Sequence, residues 1–168
     1  MLQVIRKENV SPIGVEYRCA FYICSRNHNS FNMYVNETQV RVRYGESDRM
    51  GYAYYGNYPL YYEVGRTEML RTLGLSYKEM EDSGIILPVI NLQSNYLAPA
   101  FYDDLLTIKT YLKELPAVRI RFEYEIYNSR SEKLNFGETT LVFTNAVSRK
   151  PCRPPEYFMK MVRSFFER

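Results

Sequence analysis

Apolar and charged residues alternate strictly between residues 118 and 127. A period of two is typical of a strand that buries one face. The residues expected to face inward are Val118, Ile120, Phe122, Tyr124 and Ile126, and those expected to face outward are Arg119, Arg121, Glu123 and Glu125. A second alternation starts at Thr38, with Val40, Val42 and Tyr44 on one side and Gln39, Arg41 and Arg43 on the other. Further strand patterns cover 85–97, 105–113 and 134–148, so the chain is predicted to contain five strands.

One long helical pattern lies between the strand that starts at Thr38 and the strand pattern over 85–97. Asn57 is placed to cap the helix, Pro59 suits its first turn, and Gly74 would end it after about Leu73. Apolar and aromatic side chains surround most of its circumference. Because Gly65 would also permit close backbone approach, we expect the helix to be enclosed on several sides.

Two shorter helices are predicted as well. Ser76 and Glu79 have capping-box spacing at the start of a helix that would run from Ser76 to Asp82. Another helix follows Pro154 and Pro155 near the end of the chain. Its apolar face would consist of Phe158, Met161, Val162 and Phe165.

Together these elements predict an α+β domain in which a curved five-stranded antiparallel sheet wraps around a central helix, with a C-terminal amphipathic helix. Pro88 lies in the strand predicted over 85–97 and favours an edge position for it. Such an edge strand would invite pairing with a second subunit. The domain is expected to span 33–168. Residues 1–32 show no sustained periodicity and are expected to form a poorly packed N-terminal extension. Whether the natural chain starts at Met1 or Met33 stays open.

The composition narrows the range of partners. The chain has 22 Lys and Arg against 19 Asp and Glu, a net charge of +3, and these charges are interspersed. This pattern does not indicate a nucleic-acid partner, although it suits a small phosphorylated ligand. The first 31 residues lack the apolar core of a secretory leader and no apolar run approaches the ~20 residues of a membrane span, so we expect a cytoplasmic protein without such a span. Cys19, Cys24 and His28 offer no fourth ligand, and no metal is expected.

The segment from Glu46 to Tyr58 is the candidate for chemistry, because it sets one aspartate among tyrosines and glycines just before the long helix. Asp48 lies nine residues before Asn57, too far to cap that helix, so its structural alternative is a turn within the loop. Alternatively, a loop that folds back over the helix start would bring the carboxylate near free backbone N–H groups. Gly51 and Gly56 would give the loop the necessary freedom. A carboxylate beside an oxyanion site suits acyl transfer.

Two blocks of the sequence resemble a known family. The first block consists of Tyr44, Glu46-Ser47-Asp48, Gly51, Tyr55, Asn57-Tyr58, Tyr62-Glu63 and Arg66-Thr67-Glu68, and the second of Tyr96-Leu97-Ala98-Pro99-Ala100, Asp103-Asp104 and Leu106. In this order and spacing they resemble the signature of hotdog-fold acyl-CoA thioesterases of the 4-hydroxybenzoyl-CoA thioesterase type. The likeness covers roughly residues 36–165.

The resemblance implies an enzyme that hydrolyses an acyl-CoA thioester to free acid and coenzyme A. It implies that Asp48 is the nucleophile or general base and that the backbone N–H groups around Tyr55 and Gly56 polarise the thioester carbonyl. Tyr44 would help to shape the site. Asn57 would either orient the attacking water or simply cap the helix.

Two positions of the motif leave alternatives open. Glu63 is either an ion-pair partner for Arg66 or a second catalytic carboxylate. Some relatives carry His where Tyr55 stands, and the only histidine of this chain is His28. The acyl group is therefore left open among 4-hydroxybenzoyl, short aliphatic and longer chains.

The coenzyme A part of such a substrate brings phosphates, which favour cationic side chains. The candidates are Arg119, Arg149, Lys150 and Arg153, with Arg121 beside the first. No separate cofactor is expected, since coenzyme A is part of the substrate. The resemblance also implies a homodimer or homotetramer in which a neighbouring subunit completes the site. The alternatives are a hotdog hydratase or dehydratase, which generally uses a catalytic histidine, and a non-catalytic acyl-CoA or acyl-carrier-protein binding module.

Overall fold

The structure is a computed structural model that describes residues 33–166 and, before them, the backbone of two strands. The strands are β1 (Val4–Val10), β2 (Glu16–Tyr22), β3 (Tyr34–Arg41), β4 (Ile85–Ile86), β5 (Val89–Tyr96), β6 (Leu105–Leu112), β7 (Arg119–Tyr127), β8 (Lys133–Val142) and β9 (Thr144–Asn145). The helices are α1 (Tyr58–Thr72), α2 (Tyr77–Asp82) and α3 (Glu156–Phe166). Two 3₁₀ turns cover Tyr44–Glu46 and Tyr55–Asn57.

Seven strands form one sheet in the order β1-β2-β3-β6-β7-β8-β5, and each neighbouring pair is antiparallel. The five strands from β3 to β5 in that order are the predicted five-stranded antiparallel sheet, and α1 packs on one face of it. The remaining two short strands, β4 and β9, pair with each other in a separate small sheet. The predicted α+β architecture, with its long helix and its C-terminal helix, is confirmed.

The hairpin of β1 and β2 lies within residues 1–32, the predicted N-terminal extension. It joins the sheet beside β3, where Arg18 pairs with Glu37. These strands were not predicted, because their residues show no clear period of two. The boundary at residue 33 and the poor packing of this segment stay predictions.

The first predicted strand is shifted toward the N-terminus. The alternation suggested a strand from Thr38 to Tyr44, whereas β3 begins at Tyr34 and ends at Arg41. The Val42 N–H still donates to the Asp104 carbonyl at 3.0 Å, and the extended chain ends where a 3₁₀ turn starts at Tyr44. Val42 is buried as expected, but Tyr44 is 81% exposed, so its expected place on the buried side is wrong.

Two of the predicted strands are each divided in the structure. The pattern over 85–97 splits into β4 and β5 because Pro88, which has no N–H for a ladder, lies between them. The pattern over 134–148 splits into β8 and β9 on either side of Phe143. As predicted, β5 is an edge strand of the large sheet.

The long helix α1 ends at Thr72, close to the predicted end, and Gly74 follows in a left-handed conformation. Its buried residues recur every three or four positions and form one broad face: Tyr58, Tyr61, Tyr62, Gly65, Arg66, Met69 and Leu70. Gly65 lies against Thr110 and Ile108, which confirms the expected close approach. Leu60 is half exposed, so enclosure on several sides is not seen within this one chain.

The two shorter helices lie close to their predicted positions. Ser76 caps α2 by accepting a hydrogen bond from the Glu79 N–H at 3.4 Å. In α3 the side chains of Phe158 and Val162 are buried, but Met161 is 39% exposed and does not belong to the buried face. Within the described residues, none of these helices has both the length and the apolar character needed to span a bilayer.

Candidate active site

The segment from Glu46 to Tyr58 forms a small hairpin followed directly by the helix. Ser47 and Ala53 form an antiparallel bridge, and the Asp48 N–H donates to the Tyr52 carbonyl at 3.0 Å. Gly51 closes the turn by donating to the Asp48 carbonyl at 3.0 Å. Its φ of 86° is a conformation that glycine adopts readily, which is the backbone freedom predicted for this position.

Asp48 lies in the tip of this hairpin and is half buried. Its Oδ1 accepts a hydrogen bond from the Met50 N–H at 2.7 Å, so the structural alternative, a turn within the loop, is formed. No described residue donates to Oδ2. The loop therefore holds the carboxylate by one oxygen and leaves the other for a substrate or a water.

Tyr54 is close enough to Asp48 to sense its charge. The neighbouring Tyr55 hydroxyl raises the pKa of Tyr54 most, and burial and the Asp48 carboxylate raise it further. The rings of Tyr54 and Tyr55 lie 4.4 Å apart. Asp48 thus belongs to the same small region as the residues that start the helix.

The helical N-terminus offers two backbone N–H groups beside this region. The 3₁₀ turn Tyr55–Asn57 runs directly into α1, and the N–H groups of Tyr55 and Gly56 donate to no described residue. First-turn N–H groups lack partners within the helix and lie at the positive end of its dipole. A Cβ on Gly56 would lie 2.6 Å from Cε1 of Tyr54, so glycine lets that ring cover the turn. The arrangement suits the binding of an oxyanion.

Asn57 has a different role from the predicted cap. It occupies the position before α1 but makes no side-chain capping bond, because its backbone is already helical (φ −82°, ψ −21°). Its Nδ2 instead donates to the Glu46 carbonyl oxygen at 2.8 Å. Capping by the Asn57 side chain is therefore wrong, and the orientation of a water by Asn57 stays a prediction.

Glu46 is a buried carboxylate of this region, and the sequence pattern predicted no role for it. It is only 7% exposed, and its carboxylate accepts from the Arg43 N–H (2.8 Å), the Arg43 Nε (2.7 Å) and the Tyr61 hydroxyl (2.9 Å). Burial acts to raise the pKa of Glu46, but these hydrogen bonds outweigh it and hold the pKa below its ordinary value. The spacing of Arg43 and Glu46 was a possible signal, whereas the partner Tyr61 lies 15 residues away and only the fold reveals it.

Tyrosine rings line the exposed side of the turn. The Tyr96 hydroxyl donates to the Tyr55 carbonyl at 3.1 Å, and the Tyr96 ring meets Tyr58 edge-on at 5.1 Å. Tyr44 packs edge-on against Tyr102 at 5.6 Å. The Tyr96 hydrogen bond thereby joins the end of β5 to the backbone of the 3₁₀ turn Tyr55–Asn57.

Comparison with known proteins identifies the family. A family model described as the thioesterase superfamily matches residues 50–134, about half of the chain, and begins two residues after Asp48. The Bacillus subtilis protein YneP is 34% identical over 119 residues, which cover 71% of this chain and 86% of YneP. The protein belongs to the thioesterase superfamily. Its predicted enzyme class, a thioesterase of the hotdog fold, is confirmed.

Two further relatives place the chain within the thioesterase superfamily. The Escherichia coli protein named acyl-CoA thioester hydrolase YbgC is 32% identical over 117 residues, which cover 70% of this chain and 87% of YbgC. The crystal structure of a protein named DHNA-CoA thioesterase from Staphylococcus aureus is 34% identical, with a TM-score of 0.74 over 79% of this chain and 89% of that one.

The other carboxylate of the motif, Glu63, lies in the second turn of α1. Its side chain is 63% exposed, and it faces the buried Arg66, whose Nη2 lies 3.4 Å from Glu63 Oε2. Of its two alternatives, the ion pair with Arg66 is formed, although Glu63 itself is not buried. No hydrogen bond joins Glu63 to Asp48 among the described residues.

The basic residues expected to bind phosphate lie at the far end of the sheet from Asp48. They are Arg119, Arg149, Lys150 and Arg153, all exposed and none with an ion-pair partner among the described side chains. The β9 region joins β7 at its start, where the Phe143 N–H donates to the Val118 carbonyl at 3.0 Å. The hairpin that carries Asp48 instead bridges Phe101 through Tyr52, at the end of the sheet where β7 finishes. At ~3.3 Å per strand residue, roughly 25 Å separates the two groups within one chain.

Metal ligands are absent from the described part of the site. No group of three His, Cys, Asp or Glu there could hold a metal ion. The candidate metal ligands Cys19, Cys24 and His28 lie where side chains are not described.

Proposed function

We propose that this protein hydrolyses an acyl-CoA thioester to the free acid and coenzyme A, with Asp48 as nucleophile or general base. One observation carries the proposal: the half-buried Asp48 carboxylate shares one tight hairpin and helix start with the unpaired N–H groups of Tyr55 and Gly56. The names of YbgC and of the Staphylococcus aureus thioesterase support the substrate class.

The chemistry follows from this arrangement. The Tyr55 and Gly56 N–H groups would stabilise negative charge on the thioester oxygen as the carbonyl carbon becomes tetrahedral. Asp48 would either attack that carbon, forming a mixed anhydride that water then cleaves, or take a proton from the attacking water. In both routes the C–S bond breaks, coenzyme A leaves as the thiol, and one water is consumed.

The neighbouring residues have supporting parts in the proposal. Asn57 would orient a water only through its free Nδ2 proton or its Oδ1, because one Nδ2 proton is given to Glu46. Tyr44 would shape the outer wall of the site together with Tyr102. The acyl group itself stays open, since exposed tyrosine rings can contact aromatic or aliphatic chains.

A homodimer, or a homotetramer built from it, would complete the site. Edge strand β5 exposes apolar side chains, with Ile90 at 52% and Leu92 at 40%, as expected for a strand that a partner covers. Antiparallel pairing of β5 with its copy would bring the Val89 end of one strand to the Tyr96 end of the other. The partner's Arg149 and its basic neighbours would then approach Asp48, although they are distant within one chain.

A thiol-release assay over aromatic and aliphatic CoA thioesters tests the proposal. Loss of a catalytic group in such a site typically costs about 100-fold or more in rate, so Asp48→Asn should abolish turnover and keep the fold. The matched control is Asp82→Asn, an exposed aspartate of α2, which should keep wild-type rates. Wild-type rates for Asp48→Asn would show that Asp48 is not the base.

The same assay separates the alternative functions. Saturable binding of CoA esters without thiol release across the panel would favour the binding module. A hydratase would consume an enoyl ester without releasing thiol, and its usual histidine could only be His28, which lies outside the described residues. The absence of a cofactor and the cytoplasmic location stay predictions.

A further inference from the structure

Glu46 is a buried carboxylate that the proposed reaction does not use. Its two carboxylate oxygens accept from the Arg43 backbone and guanidinium and from the Tyr61 hydroxyl. Its backbone oxygen accepts from the Tyr54 N–H and from Asn57 Nδ2, both at 2.8 Å. One residue thus gathers donors from the end of the β3 region, from the turn and from α1.

These bonds fix both ends of the segment that carries the proposed chemistry. The Tyr54 N–H bond closes the base of the hairpin, with Asp48 at its tip. The Asn57 bond holds the 3₁₀ turn that presents the two free N–H groups. The Tyr61 bond ties the same residue to the first full turn of α1. The Glu46 side chain anchors this residue to Arg43 and Tyr61. Removing the side chain would therefore loosen the backbone oxygen to which Tyr54 and Asn57 are bonded.

We propose that Glu46 is a positioning residue that fixes the Asp48 carboxylate relative to the Tyr55 and Gly56 N–H groups. This inference rests on the proposed function. Glu46 does not touch the substrate, since it is 7% exposed and its oxygens are occupied by protein donors. It acts through the loop backbone.

Two substitutions at this position test the proposal. Glu46→Ala removes the carboxylate acceptor, and a displacement of about 1 Å in a catalytic arrangement can cost about 100-fold. We expect kcat to fall by about that factor while KM changes little. Glu46→Gln keeps an oxygen for the Arg43 N–H or the Tyr61 hydroxyl and should recover most of kcat. If Glu46→Ala keeps wild-type kcat well below its unfolding temperature, the proposal is overturned.

Glu125→Ala is the matched control. Glu125 on β7 is also held by tyrosine hydroxyls, Tyr111 at 2.6 Å and Tyr127 at 2.9 Å, and by Lys133. It faces away from α1, because its neighbours Tyr124 and Ile126 are the buried residues of that strand. Its loss should lower the unfolding temperature without changing kcat. If both variants lose kcat equally, the effect is general destabilisation and the proposal fails.

Hydrogen exchange gives a readout that does not depend on activity. In Glu46→Ala, the amides of residues 47–57 should exchange faster than in the wild type, and in Glu46→Gln and Glu125→Ala they should not. Unchanged exchange in Glu46→Ala would overturn the proposal. If the wild type released no thiol from any ester, the proposed function would fail, while the exchange result would still decide whether Glu46 fixes the loop.

Discussion

Gly65 of α1 lies directly against Thr110 of β6. A Cβ on Gly65 would fall 2.5 Å from Thr110 Oγ1 and 2.9 Å from Ile108 Cγ2, so the helix backbone rests on the sheet with no room for a side chain. Gly65→Ala would gain about 1 kcal/mol of helix propensity, but overpacking typically costs about 1–3 kcal/mol. We expect a net loss in the free energy of unfolding, measured by urea denaturation.

Thr110 offers a compensating substitution. Its Oγ1 is buried and has no hydrogen-bond partner among the described residues, so Thr110→Ala removes the closest obstacle without breaking a bond. The double variant Gly65→Ala/Thr110→Ala should therefore recover part of the stability lost by Gly65→Ala. Gly45→Ala is the control, because a Cβ there meets nothing within 4 Å. A Gly65→Ala variant more stable than the wild type would contradict the close packing.

Glu125 should make the fold sensitive to acid. Burial acts to raise its pKa, but hydrogen bonds from Lys133, Tyr111 and Tyr127 hold the pKa below the ordinary 4.5. A carboxyl group with a lowered pKa stabilises the fold above its unfolded pKa and loses this contribution as pH falls through the folded pKa. The difference in unfolding temperature between wild type and Glu125→Gln should therefore shrink as pH falls from about 6 to below 4. Tyr111→Phe should give an intermediate slope, and parallel slopes for all three proteins would contradict the prediction.

The sequence predicted those parts of the fold that a local pattern specifies. The alternation over residues 118–127 matches β7 from Arg119 onward, because one face of that strand is buried and the other meets solvent. The expected inward position of Val118 is wrong, since Val118 precedes the strand and is 38% exposed. Gly74 and Pro59 mark the ends of α1 through their own backbone preferences. Pro88 also has a local effect, because it divides the strand predicted over 85–97 into β4 and β5.

Features that depend on distant partners could not be predicted. The role of Glu46 arises from Tyr61, a full helical turn into α1, and from the Tyr54 backbone. Asn57 has the residue type of a cap, yet the Glu46 carbonyl takes its side chain. The separation of Asp48 from Arg149 follows from their places at opposite ends of β7, which the sequence does not give.

The exposed edge of β5 should be a subunit interface. Ile90 and Leu92 are both exposed apolar side chains of this edge strand, at 52% and 40%. Ile90→Lys/Leu92→Lys would place two charges on a surface that a partner would have to bury, so it should shift the protein toward monomers. Light scattering after size-exclusion chromatography gives the mass. Val147→Lys is the control, because Val147 is 92% exposed in a loop outside this strand. An unchanged mass for the double variant would mean that β5 is not the interface.

Mixed dimers test whether the site is shared between subunits. One parent carries Asp48→Asn and the other carries Arg149→Gln, Lys150→Gln and Arg153→Gln. The Asp48→Asn parent should be inactive. The parent with the three basic residues replaced should show a KM for CoA esters raised by about twofold to fivefold per residue, since exposed charge pairs contribute up to about 1 kcal/mol each. In a mixed dimer, one site combines both defects, whereas the other joins an intact Asp48 to intact basic residues from the partner. The mixed dimer, separated from both homodimers, should therefore show a KM equal to that of the wild type at about half its kcat per dimer. If the separated mixed dimer instead keeps the raised KM of the second parent, Asp48 and the basic residues act within the same chain or not together at all.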